Sequence, residues 1–465
     1  MKKDKVNTII RRLASACLFA AASWHWVASA QDTAVFTLRD CMEYAISNST
    51  QVRIQQADNG DSQIARRQAI LSAFTPSVSG SAGIYSSFGR AIDPESNTYR
   101  TSSSLNNSYS VSAGINLFNG FEAVNNLRIT RTALAMGLNM EQQIKDRICL
   151  ATIEAYCNVV YYTQLCRIIG EQVKTAEASL VLVRKQEELG QKSHADAVQA
   201  EADLADKKYS LTSTRNMLSD ALISLKDVMF WPITEPLEID TAAVEEEAGR
   251  YGDLPGHDGP GAEETIGKAL ETLPDIFIAK GRMDNARLEL RTAKWKFVPS
   301  LSLHAGWSTS YYTYPGQDGY VASPFWNQFR NNGGEYIQLS LSIPIFNRLS
   351  RHSDVARKKN AYKRAEAQYE QTVREVEAEV CRAIQDRDGA EAAFLLADRR
   401  AAVQKESFRL SSRQFEQGLI SSIEYQTVSG NLLKALAERL DAMLQYHIKK
   451  RIVEYYNGTS YIEQE

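Results

Sequence analysis

The sequence predicts an α+β membrane protein in which each chain gives four strands to a β-barrel shared between copies. Long antiparallel helical hairpins continue that barrel. Three observations carry the prediction. Four short stretches alternate serine with apolar residues, two very long runs contain no proline, and the whole pattern is written twice.

The alternating stretches are Ser77 to Tyr85, Ser108 to Leu117, Ser300 to Trp307 and Ile337 to Ile345. A period of two sets Val78, Ala82, Ile84, Val111, Ala113, Ile115 and Leu117 on one face and the serines on the other. Strands that span lipid are about 10 residues long, apolar outside and polar toward a lumen. A single-chain barrel needs about 8 of them, because an open edge in hydrocarbon leaves backbone groups unpaired. Four strands therefore point to a pore built from several copies.

The repeat is explicit. Pro76-Ser77-Val78-Ser79 returns as Pro299-Ser300-Leu301-Ser302, and Leu117-Phe118-Asn119 as Ile345-Phe346-Asn347. The segment from Gly190 to Asp196 aligns with Gly418 to Glu424. One register held over that span indicates two structural repeats. The expected domains are a signal peptide (1–30), a first repeat (31–230), an inter-repeat linker (231–262), a second repeat (263–457) and a tail (458–465).

Each repeat opens with a moderate helix, Leu38 to Phe74 or Glu263 to Phe297, that enters a strand at a proline. The strands are expected at about 76–88 and 108–118, then 299–311 and 336–346, joined by polar, aromatic-rich loops from Gly89 to Asn107 and from Tyr312 to Glu335. The proline-free runs, Phe121 to Leu189 and Leu349 to Gln417, follow as helices. At 1.5 Å per residue each reaches roughly 100 Å, so they need lateral partners. Gly190 and Gly418 stop them as C-cap glycines and return the chain to about Met229 and Tyr456.

The first residues read as a secretory signal, with a basic start, an apolar run from Leu13 to Val27 and Ala28-Ser29-Ala30 before Gln31. Without residues 1–30 the chain holds 48 Lys/Arg against 55 Asp/Glu, so a nucleic-acid partner is not expected. The five cysteines outside that segment are expected to be small buried residues without a disulfide framework. Enzyme signatures are missing. Gly261 to Lys268 is one residue too long for a phosphate loop, and the six histidines show no metal spacing. No catalytic residue, cofactor or metal is expected.

Ser193-His194-Ala195-Asp196 and Ser421-Ser422-Ile423-Glu424 each fit a capping box directly after a C-cap glycine. The doubled helix–strand–strand–helix order, the strand entries at Pro76 and Pro299, Phe118-Asn119-Gly120 and these tips together resemble the TolC-like outer-membrane efflux proteins of Gram-negative bacteria. The resemblance spans essentially everything after residue 30. The stretch Gly89 to Pro94 with Asn97-Thr98-Tyr99 is similar to the first outer loop of the Bacteroidetes branch.

The resemblance implies a homotrimer with a 12-stranded barrel in the outer membrane and a 12-helix tunnel in the periplasm. It implies an exit duct for small molecules, drugs or toxic compounds, fed by a periplasmic adaptor and an inner-membrane pump. A duct for a secreted polypeptide or for metal ions, and a passive diffusion porin, stay open as alternatives. At the tips it implies that Asp196 and Glu424 gate the pore beside their capping role, Glu424 being the better candidate. Gly190, Gly418 and Leu419 become an adaptor landing. Where related channels carry tyrosine and arginine lock partners, this chain has Phe415 and Ile420, so apolar contacts are expected to hold the tip closed. Aromatics at the strand ends, among them Tyr85, Phe88, Tyr109, Trp307, Tyr311 and Tyr336, are expected to form a girdle at the lipid interface.

Overall fold

The structure is a computed structural model that describes residues 35–92, 97–241, 261–315 and 320–464. The expected signal segment, and residues 242–260 of the linker, lie outside the described residues. Helices α1 (Leu38–Asn48) and α2 (Thr50–Phe74) lead into strands β1 (Ser77–Ile92) and β2 (Tyr99–Phe118). Helices α3 (Glu122–Glu188) and α4 (His194–Met229) form the first long hairpin. The second repeat runs α5 (Ala262–Thr272), α6 (Pro274–Trp295), β3 (Ser300–Thr313), α7 (Phe325–Asn331), β4 (Gly334–Ser342), α8 (Ser350–Glu416) and α9 (Ser422–Tyr456). A short 3-10 turn, Tyr461–Glu463, ends the chain.

Each entry helix, expected to be continuous, is broken in two. Ser49 interrupts the first: its side chain accepts from the Val52 amide and so starts a new helix. In the second repeat Pro274 stands at the first turn of α6, where its missing N–H is harmless but where α5 cannot continue. The two proline-free runs are unbroken, at 67 residues each.

The sheet has the order β1-β2-β3-β4, antiparallel throughout. The first hairpin reaches further than expected, since most of the anticipated loop from Gly89 to Asn107 is strand. The second anticipated loop contains α7. Strand β4 stops at Ser342 instead of near Phe346, because Pro344 has no N–H for a ladder and β3 begins opposite Ser342.

Both repeats meet in one core, where α1, α3, α4 and α9 bury Met42, Ile153, Tyr156, Leu225 and Leu444. Trp231 folds back from the linker onto Phe36 and Tyr44, and Phe36 makes a parallel bridge with Ile239. Cys41, Cys149 and Cys157 are buried free thiols, and burial pushes Cys41 and Cys149 up to about 12. The expectation fails at the other two cysteines: Cys166 is half-buried, and Cys381 is exposed on the polar surface of α8.

Asp146 is buried in α3, where Tyr455 Oη and Gln142 Nε2 donate to it at 2.9 and 2.8 Å. Burial raises its carboxyl above the ordinary range despite these bonds. The folded state therefore holds this proton more tightly than the unfolded chain, and the group weighs against folding above its folded pKa. Asp146→Asn is expected to stabilise the protein at neutral pH by about 1 kcal/mol. The gain should vanish in acid, where the native carboxyl is already neutral. Thermal unfolding of both forms across pH checks this, and a gain that persists in acid would refute the cause given.

Candidate functional site: the hairpin tips and the serine wall

Both hairpins close by the same local device. Gly190 (φ +69°) and Gly418 (φ +72°) take the left-handed conformation that glycine tolerates best. The amides of Gly190 and Gln191 donate back to Glu187 and Gln186, and those of Gly418 and Leu419 to Phe415 and Gln414. Each is a Schellman stop. The capping boxes follow directly: Ser193 Oγ accepts from the Asp196 amide at 3.2 Å, and Ser421 Oγ from the Glu424 amide at 3.2 Å. Both carboxylates bond back to their N-cap amides, at 3.1 and 2.9 Å. These bonds hold Asp196 and Glu424 below the usual carboxylate range, so both are charged at neutral pH.

The two acids differ in reach. Asp196 also accepts from Ser422 Oγ at 3.3 Å and so ties the first hairpin to the second. Glu424 is exposed and bonds within its own cap. One turn along, Gln199 and Gln426 exchange two further bonds, of 3.0 and 3.1 Å, between the same hairpins. Buried deeper, Ser429 donates to Gln172 at 2.8 Å. None of Ser422, Gln199, Gln426, Ser429 or Gln172 stood out in the sequence. The doubled tip alignment, with Ser422 at the position of His194 and Gln426 near Gln199, was the only signal for them.

Beneath these bonds lies a small apolar core. Phe415 is 3% exposed and stacks on Tyr425 with ring centroids 4.4 Å apart. Val183, Ala197 and Ala200 from the first hairpin complete the cluster, with Ile420 packed against it. Phe415 and Ile420 thus join hairpins of one chain, with Lys192 Nζ 5.1 Å from the Phe415 centroid. At the very end the surface turns outward: Leu419 is 69% exposed and Leu189 and Ile423 are each 66% exposed. No atom lies within 4 Å of a Cβ built on Gly190 or Gly418, so the tip is open there.

At the other end of the molecule the strand register sorts the two faces. Ser79 pairs with Ser112 and Ser81 with Ser110, their hydroxyls 3.2 and 2.8 Å apart. His304 and Gln338 continue that polar face, where a depression of about 560 Å³ is lined by Ser77, Ser112, His304, Tyr336 and Ser340. Gly114 makes room for the His304 ring, which stands 2.8 Å from where a Cβ would sit. Tyr85 and Tyr336 fall on this serine face by register, which removes them from the expected girdle. The apolar face is left bare: Ile337 is 82% exposed, and Val78, Ile84, Leu339 and Leu341 are exposed with it. Near its upper end α7 lays Phe325 and Phe329 against Tyr109, Trp307 and Tyr311. Gln328 clamps α7 by donating to the Tyr312 carbonyl and accepting from the Tyr312 amide.

Residues 265–453 match the family model described as outer membrane efflux protein. The chain is 23% identical over 427 residues to the toluene efflux pump outer membrane protein TtgC of Pseudomonas putida, covering 90% of this chain and 81% of that protein. The same figures hold for the antibiotic efflux pump outer membrane protein ArpC of Pseudomonas putida. Among solved structures, the outer membrane protein VceC of Vibrio cholerae superposes with a TM-score of 0.73 at 14% identity, over 92% of this chain and 96% of that one. Residues 265–453 thus carry the outer membrane efflux protein domain, and the chain as a whole has the fold of the outer-membrane efflux channels to which it is similar.

Proposed function

We propose that this protein is the outer-membrane exit duct of a tripartite efflux system in a Gram-negative bacterium. Three copies, each giving four strands and the helices α3, α4, α8 and α9, enclose a continuous conduit from periplasm to exterior. The observation that carries this reading is the sheet: among the described residues both edge strands, β1 and β4, have no outer neighbour, and its apolar face is exposed. Free edges and unburied leucines are untenable in water, whereas a barrel closed by copies within lipid satisfies both. The serine face then lines the lumen. Relatives named for antibiotic and toluene efflux favour small organic molecules as cargo.

The conduit does no chemistry, and energy comes from a pump in the inner membrane. Leu419, Gly418 and Gly190 form the landing for a periplasmic adaptor, and the ties around Asp196 hold the tip shut until it docks. Glu424 adds negative charge at the entrance. A photo-crosslinking residue at Leu419 in the native host is expected to capture a periplasmic adaptor together with its pump. Purified protein is expected to conduct ions across planar bilayers. Conductance together with no partner captured at Leu419 would favour a passive porin, and recovery from the soluble periplasm would overturn both pore readings.

A further inference from the structure

Four arginines line one cleft of about 490 Å³ between α3 and α6: Arg128, Arg131, Arg287 and Arg291. All four are exposed, and none forms an ion pair with a described residue; Asp284 is the one carboxylate in the lining. The position of the cleft is informative. Helix α3 begins four residues after β2 ends, and α6 ends five residues before β3 begins. At 1.5 Å per residue, Arg291 lies roughly 6 Å and Arg128 roughly 9 Å along their helices from the strand junctions. The polar zone of a leaflet is about 5–8 Å deep, so long arginine stems reach it.

The cleft also faces the outer side of the wall. Phe118 pairs with Leu301 on the apolar face, and its ring meets Phe121, which in turn meets Trp295. Arg291 precedes Trp295 by four positions within α6, so the two share a helix face. Apolar strand, aromatic rings, then arginines is the order of a lipid–water boundary. The opposite face of the same helices, at the same level, is arranged differently. There a second cavity continues from Asn116 on the serine side, and its cations are neutralised: Lys358 pairs with Glu289 at 2.7 Å and Lys296 with Asp354 at 3.8 Å. The four cleft arginines have no carboxylate partner among the described residues.

We infer that this arginine cleft binds the phosphodiester headgroup of an anionic phospholipid in the periplasmic leaflet of the outer membrane. The guanidinium fork matches phosphate oxygens, and the rings above it flank the acyl chains. Such a site would fix the depth and rotation of the barrel relative to the helices. The inference rests on the membrane reading proposed above.

The test uses the full chain in phosphatidylcholine vesicles that carry either phosphatidylglycerol or phosphatidylcholine with a shallow spin label. The Trp295 signal is taken as the difference between the native protein and Trp295→Phe. Labelled phosphatidylglycerol is expected to quench it at about fivefold lower mole fraction than labelled phosphatidylcholine, on the scale of one basic residue at an anionic surface. Arg128→Gln with Arg291→Gln should bring the ratio to one, and Arg287→Gln alone should lower it. Equal quenching by both lipids in the native protein overturns the site, as does a ratio that survives the double variant. Loss of the ratio in millimolar inorganic phosphate would make it a free-anion site and overturn the lipid assignment. Flotation with pure phosphatidylcholine vesicles separates the readings. Failure to float sinks the membrane proposal, whereas flotation without an anionic preference sinks only the arginine site.

Discussion

Replacing Ser422 and Gln426 with alanine is expected to raise the open fraction of the pore by about two orders of magnitude without unfolding the tip. The variant removes the Ser422–Asp196 bond and both Gln199–Gln426 bonds. It spares Ser193, Asp196, Ser421 and Glu424, so both capping boxes stay intact. Each lost bond contributes about 0.5–1 kcal/mol in this partly wet setting. Summed over three protomers, even the lower figure exceeds the roughly 2.7 kcal/mol that a hundredfold shift requires. Single-channel recording in planar bilayers gives the answer, with Glu424→Gln as the companion. That substitution touches only its own cap and the local charge, so it should alter cation selectivity more than open fraction. Currents unchanged in the double variant would mean that the Phe415–Tyr425 core and the buried Ser429–Gln172 bond suffice to hold the tip.

That contrast shows what could be read from the sequence. Glycine stops, capping boxes and period-two strands are local, and local chemistry is written at fixed spacing. Gly190, Gly418, Ser193 and Ser421 all behave as their motifs imply. The serine and apolar faces follow from alternation and survive into the register. The ties between hairpins are different in kind. Ser422 and Asp196 are 226 positions apart, and nothing in the neighbourhood of either residue names the other. The sequence favours Glu424 as the gate residue from its place on the second hairpin, whereas the bond between the two hairpins of one chain, from Ser422 to Asp196, shows only in the structure. Broken entry helices were missed for a related reason. Ser49 lies in an otherwise helical pattern, and its capping role shows only once the chain turns at it.

The joint between strand and helix gives the second large effect. Gly120 has φ +70°, and a Cβ there would sit 2.5 Å from the Trp295 carbonyl oxygen and 3.1 Å from its carbon. Those atoms are backbone and cannot turn aside. Gly120→Ala must therefore separate the start of α3 from the end of α6, straining the Phe121–Trp295 ring contact and the Asn125–Thr292 bond of 2.9 Å. Gly190 provides the control, since it has nearly the same φ (+69°) with open space around it. There the left-handed backbone alone should cost about 1 kcal/mol, whereas Gly120→Ala should exceed about 3 kcal/mol. The expected readout is loss of assembled, heat-resistant oligomer for Gly120→Ala and near-normal assembly for Gly190→Ala. Equal behaviour of the two would refute the close approach as the cause. The second repeat offers the converse. Its joint holds Arg348 at φ +57° and Leu349 at φ +60°, with no glycine present. Arg348→Gly removes that left-handed strain and is expected to stabilise the protein by a few tenths of a kcal/mol up to about 1 kcal/mol. Destabilisation instead would show that the Arg348 side chain, and not the turn, sets the geometry of that joint.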